Sequence, residues 1–140
     1  MKIQFILLAA TSLFALDASA TPPNMQPGMW EITTRTEMPG MPMQMPPQSI
    51  RQCYKNENVR DARETLPVDK TCKVDDFQQS GNTVKWKVNC KVEGAPMTGI
   101  GEITYAGSRY SGKMTMQGNM QGMNINMTSQ YSGRRVGDCK

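Results

Sequence analysis

VKWKVNCK, residues 84–91, is the most regular stretch of the chain. Val84, Trp86, Val88 and Cys90 alternate with lysines and an asparagine, and an apolar residue at every second position is typical of a β-strand with one buried face. The apolar side chains therefore point to one face of a sheet and the lysines to the other. This strand and the similar stretches on either side of it predict a mainly β fold.

A turn centred on Gly81 joins this strand to the one before it. Antiparallel pairing about that turn puts Cys72 directly opposite Cys90, at the short separation that a disulfide needs. Of the three possible pairings of four cysteines, this register therefore favours Cys72 with Cys90 and Cys53 with Cys139. The chain has no C-x-x-C motif, so we expect both disulfides to be structural rather than redox-active.

The remaining strand-like stretches, read as consecutive hairpins, predict an antiparallel meander of about six or seven strands that forms a curved sheet or partial barrel. Each stretch is bounded by residues that favour turns. One short helix is expected from Asn56 or Asn58 to Leu66, where Pro67 ends it. The other predicted strands lie at residues 29–35, 50–54, 98–105, 110–117 and 123–134.

The first residues of the chain have the pattern of a secretory signal peptide. Lys2 is followed by a short apolar run and by a small-x-small motif that ends at Ala20, after which signal peptidase is expected to cut. Cleavage near Ala20 would deliver the protein to the periplasm or the exterior, where disulfides persist, and no transmembrane segment is expected. The predicted organisation is a signal peptide at 1–20, a flexible arm at 21–27 and a single β-rich domain at 28–140 with a Met/Pro-rich loop at 38–49.

Two short motifs carry a resemblance to a known family. PGMWE at residues 27–31 and SGRRVGDC at residues 132–139, together with the cysteine spacing, resemble the exported bacterial family called domain of unknown function 3617. The resemblance covers nearly all of the chain after the predicted signal peptide. It implies a small, periplasmic, disulfide-bearing, β-rich domain without an established activity, so it assigns no role to any residue.

The residue types expected of an enzyme site are missing from the sequence. The chain has no histidine, the commonest general base, and it has neither a G-x-S-x-G nucleophile motif nor a glycine-rich phosphate loop. Asp75 and Asp76 are adjacent on a strand, so they point to opposite faces and cannot act as a pair. We therefore expect no enzymatic activity, and we expect no nucleic-acid binding because aromatic residues are only 6% of the chain.

Methionine is concentrated in two places. The first is the loop sequence MPGMPMQMPP at residues 38–47, where prolines keep the segment extended and thioethers are the soft ligands that select copper(I). One interpretation is a copper(I) site in this loop, and the other is a linker in which methionine is only a tolerated apolar residue. The candidate copper(I) ligands are Met38, Met41, Met43 and Met45.

The second concentration lies on the last two predicted strands. Consecutive hairpins place Ile103, Gly112 and Met127 side by side, so glycines alternate with methionines across the sheet and leave room for flexible side chains or for a ligand. We expect a noncatalytic binding module without a cofactor that receives a small apolar ligand or an envelope protein. The alternatives are a copper(I) carrier or buffer that uses the loop and a core that these methionines simply fill. The possible ligand-face residues are Met114, Met116, Met123 and Met127.

Overall fold

Seven antiparallel strands form one sheet in the computed structural model, which describes residues 21–40 and 45–140. The strand order is β2-β1-β7-β6-β5-β4-β3, and the edge strands β2 and β3 do not pair, so the sheet is open. The prediction of a mainly β, antiparallel fold is thus confirmed. The predicted signal peptide at 1–20 lies outside the described residues. The strands are β1 Gly28–Glu37, β2 Gln48–Tyr54, β3 Cys72–Ser80, β4 Thr83–Val92, β5 Ala95–Tyr105, β6 Arg109–Met120 and β7 Met123–Gly137.

The meander prediction holds for five of the strands. Strands β3 to β7 are joined as consecutive hairpins, but β1 pairs with β7 along its whole length and β2 lies outside β1. The connection from β2 to β3 therefore runs from one edge of the sheet to the other.

The two faces and two ends of the sheet are named as follows. The core face is the side on which Trp30 and Trp86 are buried, and the outer face is the other side. The lower end is where β1 begins, and the upper end is where β1 ends and β7 begins.

The covalent links have the predicted pairing. Cys72 and Cys90 are bonded across the β3–β4 hairpin with their Cα atoms 3.9 Å apart. Cys53 and Cys139 are bonded with a Cα–Cα distance of 5.5 Å. Met29 of β1 lies between the two strands that the second disulfide joins, since it pairs with Cys53 on one side and with the end of β7 on the other. This disulfide therefore bridges over β1 at the lower end.

A β-bulge interrupts β3 after Asp75. Asp76 has a φ of 49°, and it lies with Phe77 in the two-residue stretch of β3 that faces Trp86 of β4. Pairing about Gly81 without a bulge would place Asp76 beside Trp86 on the core side, but the extra residue in β3 moves Asp76 to the outer face. Phe77 packs against the core instead, while Asp76 forms an ion pair with Lys87 at 2.9 Å.

The predicted helix is not an α-helix. The segment has two 3₁₀ turns, Asn58–Arg60 and Ala62–Thr65. Asp61 separates them because its backbone is extended, with φ −128° and ψ 121°, and its side chain accepts a hydrogen bond from the Arg63 backbone N–H at 2.9 Å. An aspartate that caps a new turn stops the first one from continuing.

The lower end of the core face is closed by aromatic side chains and by this 3₁₀ segment. Trp30 is fully buried and stacks on Tyr110 with ring centroids 5.5 Å apart. Buried Thr65 lies 2.7 Å from the Tyr105 hydroxyl, a hydrogen bond that joins the 3₁₀ segment to β5. Residues 21–27, predicted to be a flexible arm, are held at Met25, which is buried and bridges to the turn after β5.

The turn between β6 and β7 sets a register that differs from the predicted one. Gly112 pairs with Tyr131 rather than with Met127. The turn consists of Gln121 and Gly122, with φ values of 51° and 80°, which is the positive-φ geometry that suits a two-residue hairpin. It lies two residues beyond the centre of the predicted turn, so every pair shifts by four. Because the shift is even, each side chain keeps its predicted face.

Candidate functional site

Apolar side chains of β6 and β7 line the upper end of the core face. In the observed register, Met116 pairs directly with Met127 and Met120 pairs with Met123. Directly paired residues of an antiparallel sheet project to the same side. The structure therefore brings together two pairs of thioethers on adjacent strands. We call this set the methionine patch, and its residues are Met114, Met116, Met120, Met123, Ile125, Met127 and Tyr131.

The patch is most exposed at its upper end. Met116 is 5% exposed, whereas Met123, the last core-face residue, is 63% exposed. Met114 and Met127 are half-buried and pack against the core. All four predicted ligand-face methionines thus share one face, but they differ in access: Met116 belongs to the closed core and Met123 is open.

The strand glycines do not provide free space for a ligand. A Cβ added at Gly101 would lie 2.2 Å from the Trp86 ring, and one at Gly99 would lie 2.3 Å from the Met116 sulfur. Large side chains of neighbouring strands therefore fill the room that these glycines leave. The sequence suggested that this room serves either side chains or a ligand. In the structure side chains fill it and leave no open groove, so the accessible part of the face is restricted to its upper end.

The polar groups beside the patch are paired or neutral. The buried Ser129 hydroxyl lies 3.0 Å from Thr36 Oγ1, which places a hydrogen bond between β7 and β1. Burial raises the pKa of Tyr131, so this phenol stays protonated at neutral pH. A surface of thioethers with neutral hydroxyls suits apolar contact rather than acid–base chemistry.

The methionine loop leaves the sheet at the same upper end. β1 ends just before Met38, which is half-buried, and β2 begins just after Met45, which is 42% exposed. Met41 and Met43 lie outside the described residues, so the copper(I) set remains a prediction. In the parts of the chain that the structure describes, no group of three or more Asp, Glu or Cys side chains could hold a metal ion.

Sequence reasoning missed Met120 as part of the patch because it assigned this residue to the turn. The signal was present in the pattern. Gln121 and Gly122 lie between two methionines, and a glycine at the second position of a two-residue loop favours a tight hairpin. An earlier glycine, Gly118, competes for the same role, and the structure places it inside β6.

A protein-family model described as "Protein of unknown function (DUF3617)" matches residues 25–139 of the chain. The chain belongs to this family. The match begins at Met25, the residue that anchors the arm, and it ends at Cys139 of the lower disulfide, so it spans the whole sheet of this DUF3617 protein. Neither the search of curated proteins nor the search of solved structures found a match. Within the described ranges, no helix has the length and hydropathy to cross a membrane.

Proposed function

We propose that this DUF3617 protein is an exported, noncatalytic binding module of the periplasm or cell exterior, and that its methionine patch binds a small apolar ligand with an extended hydrocarbon chain. The observation that carries the proposal is the exposure of the patch, from 5% at Met116 to 63% at Met123 on one face. Apolar surface that continues a core into solvent gains free energy when a ligand covers it.

The shape of the patch favours an elongated ligand. From Met123 to Met127, the exposed and half-buried stretch of the patch follows β7 for four residue steps, which is roughly 13 Å at about 3.3 Å per residue. Its exposed part is formed by two neighbouring strands, β6 and β7, about 5 Å apart. An extended acyl chain matches such a narrow strip better than a compact ring system does.

The side-chain chemistry favours a flexible ligand. Methionine is unbranched and polarizable, so it can repack around hydrocarbon groups of different length. The nearest hydroxyl pair, Thr36 with Ser129, is already hydrogen-bonded and does not need a polar partner. Export is supported by the pairing of all four cysteines in disulfides, the usual state in an oxidising compartment.

The test compares two exposed apolar positions on opposite faces. Met123 is 63% exposed on the core face, and Ile100 is 59% exposed on the outer face. We expect palmitate to bind the parent saturably and the double variant M123Q/M127Q about tenfold or more weakly. The matched control I100Q should bind within about twofold of the parent. Equal affinity in the parent and the double variant, measured by calorimetry and native mass spectrometry, would overturn the proposal.

Copper(I) binding is a second candidate, favoured by the position of the methionine loop. Met38 and Met45 flank the loop at the end of the sheet where Met120 and Met123 lie, and thioethers from both could bind one soft ion. A competition titration with a copper(I) chelator tests this on two variants. In each variant, methionines are changed to leucine. A reduced affinity for copper(I) supports the site, and an unchanged affinity for copper(I) in both variants excludes it. The first variant replaces Met38, Met41, Met43 and Met45, and the second replaces Met120 and Met123.

A further inference from the structure

A row of hydroxyl side chains crosses the whole outer face. Each of the seven strands contributes one serine or threonine at directly paired positions. Two neighbouring pairs in the row are hydrogen-bonded, with 2.9 Å between the hydroxyls of Thr33 and Ser49 and 2.9 Å between those of Thr83 and Thr104. The central Ser111 and Ser132 are exposed. In strand order the row is Ser49, Thr33, Ser132, Ser111, Thr104, Thr83 and Ser80.

A row of charged side chains lies directly below the hydroxyls, toward the lower end. Arg51, Glu31, Arg134 and Arg109 occupy paired positions on β2, β1, β7 and β6. Glu31 Oε1 accepts hydrogen bonds from Arg134 Nε at 3.1 Å and from Nη2 at 2.6 Å, and Arg51 Nη2 lies 3.6 Å from Glu31 Oε2. The row thus holds three guanidinium groups and one carboxylate, which leaves an excess of positive charge.

Glu31 fixes Arg134 in place and remains ionised. The hydrogen bond and the charge of Arg134 lower the pKa of the Glu31 carboxyl, so this ion pair is present at neutral pH. Arg109, which faces Arg134 across the β6–β7 pair, makes no ion pair with any described residue. One arginine is therefore held in a defined orientation, and the other has its donors available to a ligand.

A pocket of about 470 Å³ connects the two rows, a volume within the usual range for small-molecule sites. Its lining includes Arg109, Arg134, the Glu31 carboxylate that binds Arg134, and hydroxyl residues from four strands. These hydroxyl residues are Thr33, Ser132, Ser111 and Thr104.

We infer that this outer-face pocket binds the phosphate ester of a small polyol or sugar. Arg109 would bind the phosphate oxygens through its guanidinium fork, which matches phosphate, and Arg134 would add its charge and the N–H groups that do not bind Glu31. Ser111 and Ser132 would bind the polyol, because a serine hydroxyl both donates and accepts hydrogen bonds. The site lies on the face opposite the methionine patch and does not depend on that patch having a ligand.

A soluble phosphate ester and an anionic lipid headgroup share this chemistry, so the test has two arms. The first arm titrates glycerol 3-phosphate into the protein by calorimetry at about 0.1 M salt, where long-range attraction is largely screened. The second arm measures cosedimentation with phosphatidylglycerol vesicles, with phosphatidylcholine vesicles as the neutral comparison. Both arms use the parent, R109Q, and R60Q as a charge-matched control, since Arg60 is exposed on the 3₁₀ segment.

R109Q should weaken binding about tenfold or more, because one charge-assisted contact is lost, whereas R60Q should stay within about twofold of the parent. If R109Q but not R60Q weakens binding of glycerol 3-phosphate, the ligand is a soluble ester. If R109Q selectively weakens only the binding to phosphatidylglycerol vesicles, the ligand is a lipid headgroup. Equal effects of R109Q and R60Q, or no saturable binding in either arm, would overturn the inference. S111A/S132A provides an independent variant with the charges intact, and it should also weaken binding of the ester.

Discussion

The two ends of the core face have the same strand pattern but different states of closure. At the lower end, Trp30 and Tyr105 are no more than 1% exposed, and the 3₁₀ segment is joined to Tyr105 by the hydrogen bond of Thr65. At the upper end, exposure reaches 63% at Met123. The alternation of a strand therefore chooses the face of each side chain, whereas closure of that face depends on the segment packed against it.

The two ends also differ in the side chains that they use. Aromatic rings have few rotatable bonds and fixed contact geometry, and Trp30 is further fixed by donating its indole N–H to the Gln26 carbonyl at 2.9 Å. Methionine has three rotatable bonds and no such partner. A rigid lower end can hold the sheet while the upper end repacks around a ligand. The following experiments test that division, in order of expected effect.

The largest effect is expected from removal of the lower disulfide. The Cys53–Cys139 link spans 86 residues, and the Cys72–Cys90 link spans 18. Because the longer loop restricts the unfolded chain more, C53A/C139A should lower the unfolding free energy by about 4 to 5 kcal/mol and C72A/C90A by about 3 kcal/mol. Urea titrations of both variants check the ranking, and an equal or reversed order would contradict a lower end stabilised chiefly by this link.

Truncation of one side chain at each end compares the two ends directly. W30A removes a fully buried ring that stacks on Tyr110, so it should cost about 3 to 5 kcal/mol. M123A removes a side chain that is 63% exposed and should cost less than about 0.5 kcal/mol. Chemical unfolding followed by tryptophan fluorescence measures both costs, with Trp86 as the reporter that the two variants share. Similar costs would show that the upper end is as closed as the lower.

Alkaline pH should destabilise the lower end. Burial raises the pKa of Tyr105 to about 12, and the hydrogen bond with Thr65 partly offsets this shift. The unfolded chain releases this proton near pH 10 and the folded chain only near pH 12, so the stability contribution is complete below pH 10 and is lost as pH rises toward 12. The loss should reach roughly 2 to 3 kcal/mol. Unfolding midpoints from pH 9 to pH 11 should fall less steeply in Y105F than in the parent.

Mild oxidation should have the smallest effect on stability and should report access. Peroxide converts exposed methionine to the sulfoxide first, so we expect Met123 and Met45 to react before Met116 and Met97, which are 5% and 3% exposed. Peptide mapping by mass spectrometry gives the order of reaction. Early oxidation of Met116 would mean that the boundary between the two ends lies lower than the structure places it.

Local patterns in the sequence predicted the strands that tight turns connect, which are β3 to β7. Gly81 as the centre of a hairpin gave the β3–β4 register correctly from Cys72 to Asp75, including the Cys72–Cys90 pair, but the pairs between the bulge and the turn differ from it by one residue. The bulge at Asp76 could not be predicted because alternation continues through the sequence while the backbone inserts one extra residue. In β6–β7, Gly118 and Gly122 both suited a turn, and a period-two pattern cannot choose between registers that differ by an even number.

Pairing between distant strands was beyond the reach of these patterns. Nothing in the local sequence of Glu31 identifies Arg134 as its neighbour, since the contact depends on β1 lying beside β7. The outer-face pocket was therefore missed, although Arg134, one of its two arginines, belongs to the 132–139 motif that carried the family resemblance. The methionine patch was predicted in outline because an even register error leaves each side chain on its face.

The bridge between Cys53 and Cys139 also has a mechanical consequence. Cys139 lies just beyond the end of β7, so a pull on the chain from beyond Cys139 reaches the disulfide before it reaches β7. The covalent bond transfers the force to β2, and the hydrogen bonds of β7 to its two neighbours remain unloaded. Reduction of this one bond would redirect the same force to Gly137, and β7 would then peel from the middle of the sheet one residue at a time.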